Sequence, residues 1–344
     1  MNAKHLRSAA AALVVALTMM FVGGCAGGAT EGADGSATVR ISQAFQSLLY
    51  LPLYVAKEKG YFEEQNVRVD IATGGGGTQS WTAVLGGSAD FSIQDPVFVP
   101  KSHENDGPGV VVAAIQNAPS VFVIGRENTD GTLDNSSIFV GKKVAVSPEP
   151  DTSWAFMKYL IEQDKLRDVT LVNVALGSEL AAVASGQADY ALSFEPTVSQ
   201  AVVDQNLDVV YSFAANPSWN PFAFSSLTTT ERYLQEHPEA AQGVVTAIAK
   251  AARFIYSEPQ ATVDIATEYF PDLSREVIEA AVQREIEARG YAEDVTVTRQ
   301  SWDNNMRISL FTKNIAAYPS DATSYENNVN TDLAANARTA LETD

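Results

Sequence analysis

Two stretches decide the fold: Gly77–Pro96, GTQSWTAVLGGSADFSIQDP, and Gly177–Pro196, GSELAAVASGQADYALSFEP. They share a frame of Gly-Thr/Ser, a helix ending in Ala-Val, Gly-x-Ala-Asp-aromatic, an apolar strand, and an acidic residue before proline. Ala83 and Val84 match Ala182 and Val183, and Gly87, Ala89 and Asp90 match Gly186, Ala188 and Asp189. Asp95-Pro96 matches Glu195-Pro196 with one extra residue in the second copy. In each copy the glycine ends a helix in a left-handed turn. The apolar run then enters a buried sheet, and the acidic residue falls at the strand's carboxyl end, where open α/β sheets place ligands. Two such units imply two similar α/β lobes facing each other.

Outward from this frame, strands alternate with helices. Thr38–Gln43, Val67–Ala72, Val110–Gln116, Phe122–Gly125, Lys143–Ser147 and Thr170–Val174 read as strands. Pro52–Lys59, closed by Gly60, reads as a helix, as do Thr78–Leu85, Asp151–Asp164 and Glu179–Ala184. That alternation predicts an α/β fold with parallel pairing. After Asn216 the pattern turns helical, over Glu231–Glu236, Pro238–Tyr256, Gln260–Tyr269, Ser274–Arg289 and Arg299–Asn314. The polar stretch from Ser320 reads as a surface appendage or a late helix.

The chain has 344 residues, 46% of them apolar, which suits two lobes of ordinary size. Its net charge of −19 repels phosphate backbones, so nucleic acid is excluded as a partner. The single cysteine, Cys25, follows Lys4 and Arg7, an apolar run Ser8–Val22, and Gly23-Gly24. That is the order of a secretory signal, and the run is short of the about 20 residues a membrane span needs. Val-Gly-Gly-Cys resembles the bacterial lipobox, in which the thiol takes a diacylglycerol and cleavage leaves the cysteine first. Residues 1–24 are therefore expected to be the signal peptide, and 25–37, small and polar, a lipidated tether. The mature protein is expected outside the cytoplasm, anchored to the membrane through Cys25.

The segment PLYVAKEKGYF (Pro52–Phe62), the glycine-rich turn and Gly-Gly-Ser-Ala-Asp-Phe resemble the first lobe of the periplasmic binding proteins for nitrate, sulfonates, taurine and thiamine-pyrimidine precursors. Ala-Ser-Gly-Gln-Ala-Asp-Tyr and Phe-Glu-Pro are similar to the second lobe. TTTERYLQEHPEAAQGVVTAIAKAARFIYSEPQAT (228–262) is similar to the return to the first. The resemblance covers Val39 to Tyr318. It implies a type II clamp with two crossovers: lobe 1 over 38–124 and 220–318, lobe 2 over 125–219, and an appendage over 319–344. It also implies a small-molecule ligand between the lobes, an ABC permease as partner, and no cofactor. A monomer is expected.

Ligand contacts are expected from four places. Gly75, Gly76 and Gly77 before a helix let backbone N–H groups approach a ligand, with Thr78 adding a hydroxyl or capping the helix. Ser178 is the second-lobe counterpart. Asp95 and Glu195, one from each lobe, would attract an ammonium, amidine or aminopyrimidine, although each could instead cap a helix or pair with an arginine. Gln43 and Phe45 beyond the first strand, and Trp219 near the second crossover, are candidate walls. Asp151 and Thr152 read mainly as helix caps. The motif loops carry no Lys or Arg, which disfavours nitrate and bicarbonate and favours an organic ligand with nitrogen donors. An enzyme is disfavoured: His103 and His237 sit in no paired acidic or cysteine motif, and GxSxG, HExxH and P-loop motifs are absent. An exported sensor built on the same clamp is the alternative to a transporter component, and a thiamine-pyrimidine-synthesis-like enzyme stands behind it.

Overall fold

The computed structural model describes residues 36–126, 132–149 and 151–343. The signal peptide and Cys25 lie outside the described residues. Two five-stranded mixed sheets make up two lobes. The first contains β1 (Ala37–Gln43), β2 (Val67–Thr73), β3 (Phe91–Gln94), β4 (Val110–Gln116) and β10 (Ser225–Thr229), in the order β2-β1-β3-β10-β4. The second contains β5 (Phe122–Gly125), β6 (Lys143–Val146), β7 (Thr170–Asn173), β8 (Tyr190–Ser193) and β9 (Asp208–Ser212), in the order β7-β6-β8-β5-β9. β1, β2 and β3 run parallel, as do β6, β7 and β8. β10 enters the first sheet antiparallel, and β5 enters the second likewise. β10 thus returns to the first lobe after the second crossover, and β5 opens the second lobe after the first. β5, assigned to the first lobe by sequence, pairs with β8 and β9 because the first crossover ends before it.

Helices cover the sheets: α1 (Leu51–Glu58), α2 (Gly77–Leu85), α3 (Phe98–His103), α4 (Thr152–Gln163), α5 (Glu179–Ala184), α6 (Thr197–Gln205), α7 (Glu231–Glu236), α8 (Pro238–Ser257), α9 (Pro259–Tyr269), α10 (Arg275–Glu287), α11 (Arg299–Phe311), α12 (Tyr325–Asn328) and α13 (Asp332–Thr343). Among the described residues no helix is long and apolar enough to cross a membrane.

The internal echo is structural. Asp90 accepts the backbone N–H of Arg40 at 2.8 Å and returns its own N–H to the Arg40 carbonyl. Asp189 does the same with Lys143, also at 2.8 Å. The aspartate of each Gly-x-Ala-Asp therefore pins the start of one strand to the central parallel strand of its lobe. Gly87 (φ +72°) and Gly186 (φ +75°) provide the left-handed turn in front of it.

The crossovers run side by side. Phe213 N–H reaches the Val121 carbonyl at 3.1 Å, and Phe222 N–H reaches the Asn117 carbonyl at 2.9 Å. Against the second crossover sits an aromatic knot: Phe156 of α4 has ring centres of Phe213, Trp219, Phe222 and Phe224 between 4.8 and 5.8 Å away. The segment from Ser320 packs on the first lobe. Val329 bridges Val111 on the edge strand β4, and α13 lies along α8, where Arg253 reaches the Leu341 carbonyl at 2.9 Å.

Candidate functional site

The cleft between the lobes offers about 530 Å³ of free space, part of it open to solvent. The end of β1, the start of α2 and the end of β3 supply Phe45, Gly77, Gln94 and Asp95, and Phe98 of α3 stands beside them. The second lobe supplies Ser147, Asp151, Thr152, Ser153, Leu176 and Phe194. Phe224 and Ser225 close the floor where the second crossover enters β10. No Lys, Arg or His lines the cleft among the described residues.

Asp95 keeps part of its surface open to the cleft. Oδ1 accepts Val97 N–H at 2.9 Å and Asn305 Nδ2 at 3.0 Å, while Oδ2 accepts the Thr152 hydroxyl from the opposite lobe. Burial raises its carboxyl above the ordinary range, and these three donors oppose the rise. Asp151 is pushed up to about 6, first by burial and then by the Asp95 charge. Behind it, Glu179 is pushed up to about 7, chiefly by burial; one oxygen takes Gly177 N–H at 2.8 Å and the other has no partner. Gln94, 2% exposed, gives Nε2 to Thr228 and leaves Oε1 without a partner. Polar groups of the cleft thus include the engaged Asp95 carboxylate, Asp151 and the hydroxyls of Ser147, Thr152, Ser153 and Ser225, set among Phe45, Phe98, Phe194 and Phe224.

The residues singled out by sequence fall into two groups. Phe45, Gly77 and Asp95 line the cleft together. Gln43 does not line it: its amide is used within lobe 1, by Thr73 at 3.0 Å and Tyr54 at 2.7 Å. Gly76 is the cap residue of α2, so Thr78 does not cap; Gly75 and Thr78 face solvent. Ser178 is exposed at the start of α5. Trp219 belongs to the aromatic knot and to a separate groove beside α4 and α11.

Glu195 requires a correction. Its carboxylate is buried against Arg284 Nη1 at 2.5 Å and takes Ser199 N–H and hydroxyl at 3.0 Å each, so the pairing with an arginine is the arrangement present. The reason is a one-residue shift. From Asp90 to Asp95 is five positions, but from Asp189 to Glu195 is six. A side chain one step further along an extended segment points to the other face. Phe194 takes the position matching Asp95 and lines the cleft. Asp151 and Thr152 also differ from the capping role expected of them: the Asp151 side chain caps nothing, and Thr152 bonds to Asp95. Their signal was positional, since they follow β6 as Phe45 follows β1.

Gly77 makes the wall tight. A Cβ there would lie 2.5 Å from the Phe98 ring and 3.5 Å from Gln94 Cβ. Gly77→Ala is expected to force Phe98 towards the cleft and to cost about 1–3 kcal/mol of stability, read by urea denaturation.

The profile of the family described as NMT1/THI5 like matches residues 49–262. This chain belongs to that family. It is 24% identical over 273 residues to a putative binding protein, YtlA, of Bacillus subtilis, covering 77% of this chain and 80% of that one. The fold is that of the periplasmic nitrate-binding protein NrtA of Synechocystis (TM-score 0.72, 16% identity, 89% of each chain). It is also that of the alkanesulfonate-binding protein SsuA of Xanthomonas axonopodis bound to MOPS (TM-score 0.67, 13% identity, 85% of this chain and 97% of that one). The type II periplasmic-binding-protein architecture is shared throughout.

Proposed function

We propose that this member of the NMT1/THI5-like family is an extracytoplasmic solute-binding lipoprotein. It is anchored through Cys25, closes its two lobes on a small organic solute, and delivers that solute to an ABC importer. The supporting observation is the composition of the cleft: Asp95 and Asp151 from opposite lobes, an unpartnered Gln94 oxygen, a rim of aromatic rings and, among the described residues, no cation. Such a site takes a flat body whose edge carries N–H donors. An amino-heterocycle of the thiamine-pyrimidine-precursor type offers its exocyclic N–H to a carboxylate oxygen, and its ring nitrogen becomes a second donor to the same carboxylate when protonated. An amino-sulfonate such as taurine would satisfy the carboxylates with its ammonium but leave its sulfonate without a cationic partner. Nitrate or an alkanesulfonate would place an anion against two carboxylates, which costs free energy at short range in a water-poor cleft. The reading is of a binder, in keeping with the family and with its relative YtlA, a putative binding protein.

A thermal-shift screen at pH 7.5 against 4-aminopyrimidine, taurine, methanesulfonate and nitrate tests this. A ligand at a hundred times its dissociation constant stabilises the folded state by about 2.7 kcal/mol. The expected hit is 4-aminopyrimidine, lost in Asp95→Asn. Stabilisation by nitrate or methanesulfonate alone would overturn the reading.

A further inference from the structure

The Asp95 carboxylate is also held by α11, which lies beyond the residues matched by the family profile. Asn305 is 1% exposed. Its Nδ2 donates both to Asp95 Oδ1 at 3.0 Å and to the Ala223 carbonyl at 2.8 Å. Its Oδ1 accepts the Ser309 hydroxyl at 2.9 Å. Reversing the amide would set an oxygen against two acceptors, so these partners fix its orientation. Ala223 belongs to the second crossover, and α11 grips that segment twice more. Ala223 N–H reaches the Ser301 carbonyl at 3.1 Å, and Asn304 reaches the Pro221 carbonyl at 2.7 Å. With Val97 and Asn305 both on Oδ1, the other oxygen, Oδ2, is left to face Thr152 and the cleft.

We infer that Asn305 is a positioning residue that aims Asp95 at the ligand and, through the same amide group, ties it to the crossover at Ala223. Occupation of Asp95 is thereby felt at a segment that bends when the lobes move. Only the identity of the ligand rests on the function proposed above.

The charged and titratable groups facing Asp95 are Asp151, from the start of α4, and the Tyr50 hydroxyl, from the turn before α1. Neither is a cation, so the donors Asn305, Val97 and Thr152 are what favour its ionised form. Removing Asn305 raises the proton affinity of Asp95 further. The penalty is then larger at pH 8, where the carboxylate must stay ionised without that donor, than at pH 5.

The test compares melting temperatures of wild type, Asn305→Ser, Asp95→Asn and the double variant at pH 5 and 8, without ligand. Asn305→Ser is expected to lower the melting temperature more at pH 8, and that pH difference is expected to vanish in the Asp95→Asn background. An equal loss at both pH values, or the same pH difference in both backgrounds, would make Asn305 an ordinary core residue and sink the inference. If Asn305→Ser does not fold, Asn305→Ala, which also removes the donor and adds no titrating group, carries the same readout. In a parallel titration, 4-aminopyrimidine is expected to bind Asn305→Ser about tenfold more weakly than wild type at pH 8, as loss of a hydrogen bond to a charged group implies. Failure of wild type to bind this probe counts against the proposed ligand class, while the ligand-free melts still decide the role of Asn305.

Discussion

Phe156→Ala is expected to lower the unfolding free energy by about 3–5 kcal/mol, the range for truncating a buried aromatic. Phe156 is fully buried, and its ring meets four others in a tilted or edge-on manner that adds to simple area burial. Three of those rings, Phe213, Trp219 and Phe222, lie on the second crossover, and Phe224 enters β10. The cavity left by truncation would therefore open where the lobes are joined, and α4 would lose the contact that seats its first turn over the cleft. Chemical denaturation reads the loss. Phe156→Leu, which refills most of the volume, is expected to recover a large part of it. A loss below about 1 kcal/mol would mean that the knot contributes little.

Arg284→Met is expected to cost about 3–5 kcal/mol at pH 8, because it leaves the Glu195 carboxylate buried without its ion-pair partner. The Glu195 side chain has no exposure, whereas that of Arg284 retains 23%. Glu195→Gln should therefore be the milder change: glutamine still accepts from Ser199 and Arg284, and the arginine keeps some water. The pH dependence has a definite sign. Burial already raises the Glu195 carboxyl above its ordinary value, and Arg284 opposes that rise. Without Arg284 the carboxyl rises further, so protonation in mild acid relieves the variant, and its deficit against wild type should be smaller at pH 5 than at pH 8. Glu285 lies in the same buried cluster, near Gln116 and Ser120. It is pushed up to about 8, by burial first and the Glu195 charge second, and so stays largely protonated near neutral pH. Denaturation of both variants at the two pH values checks the asymmetry and the sign together.

The repeated frame was legible because its parts are local. A helix-ending glycine, an aspartate that pins a strand start and an apolar strand all fall within one short run, and the two copies fold alike. The antiparallel pairing of β5 and β10 depends on partners about 70 or more residues away, and no local pattern records it. Asp95 was legible as a cleft residue because it ends a buried strand. Glu195 was not, because one extra residue turned its side chain to the other face, and its partner Arg284 lies 89 positions further on. Phe98, Phe194 and Phe224 were not legible either: an aromatic at a strand or helix end fits core and cleft equally until the opposite lobe is in place. The acceptor character of Gln94 was hidden for a related reason, since a glutamine inside an apolar strand reveals nothing of its partners. The segment from Ser320 looked like an appendage because its contacts with β4 and α8 are all distant in sequence.

On the function proposed above, the cleft recognises a nitrogen-donor edge and not an anion. Isothermal titration of the protein with 4-aminopyrimidine and, separately, with methanesulfonate at pH 7.5 tests this most directly. Saturable binding of the aminopyrimidine with no heat from the sulfonate is the predicted result. Saturable binding of the sulfonate with none of the aminopyrimidine would contradict it.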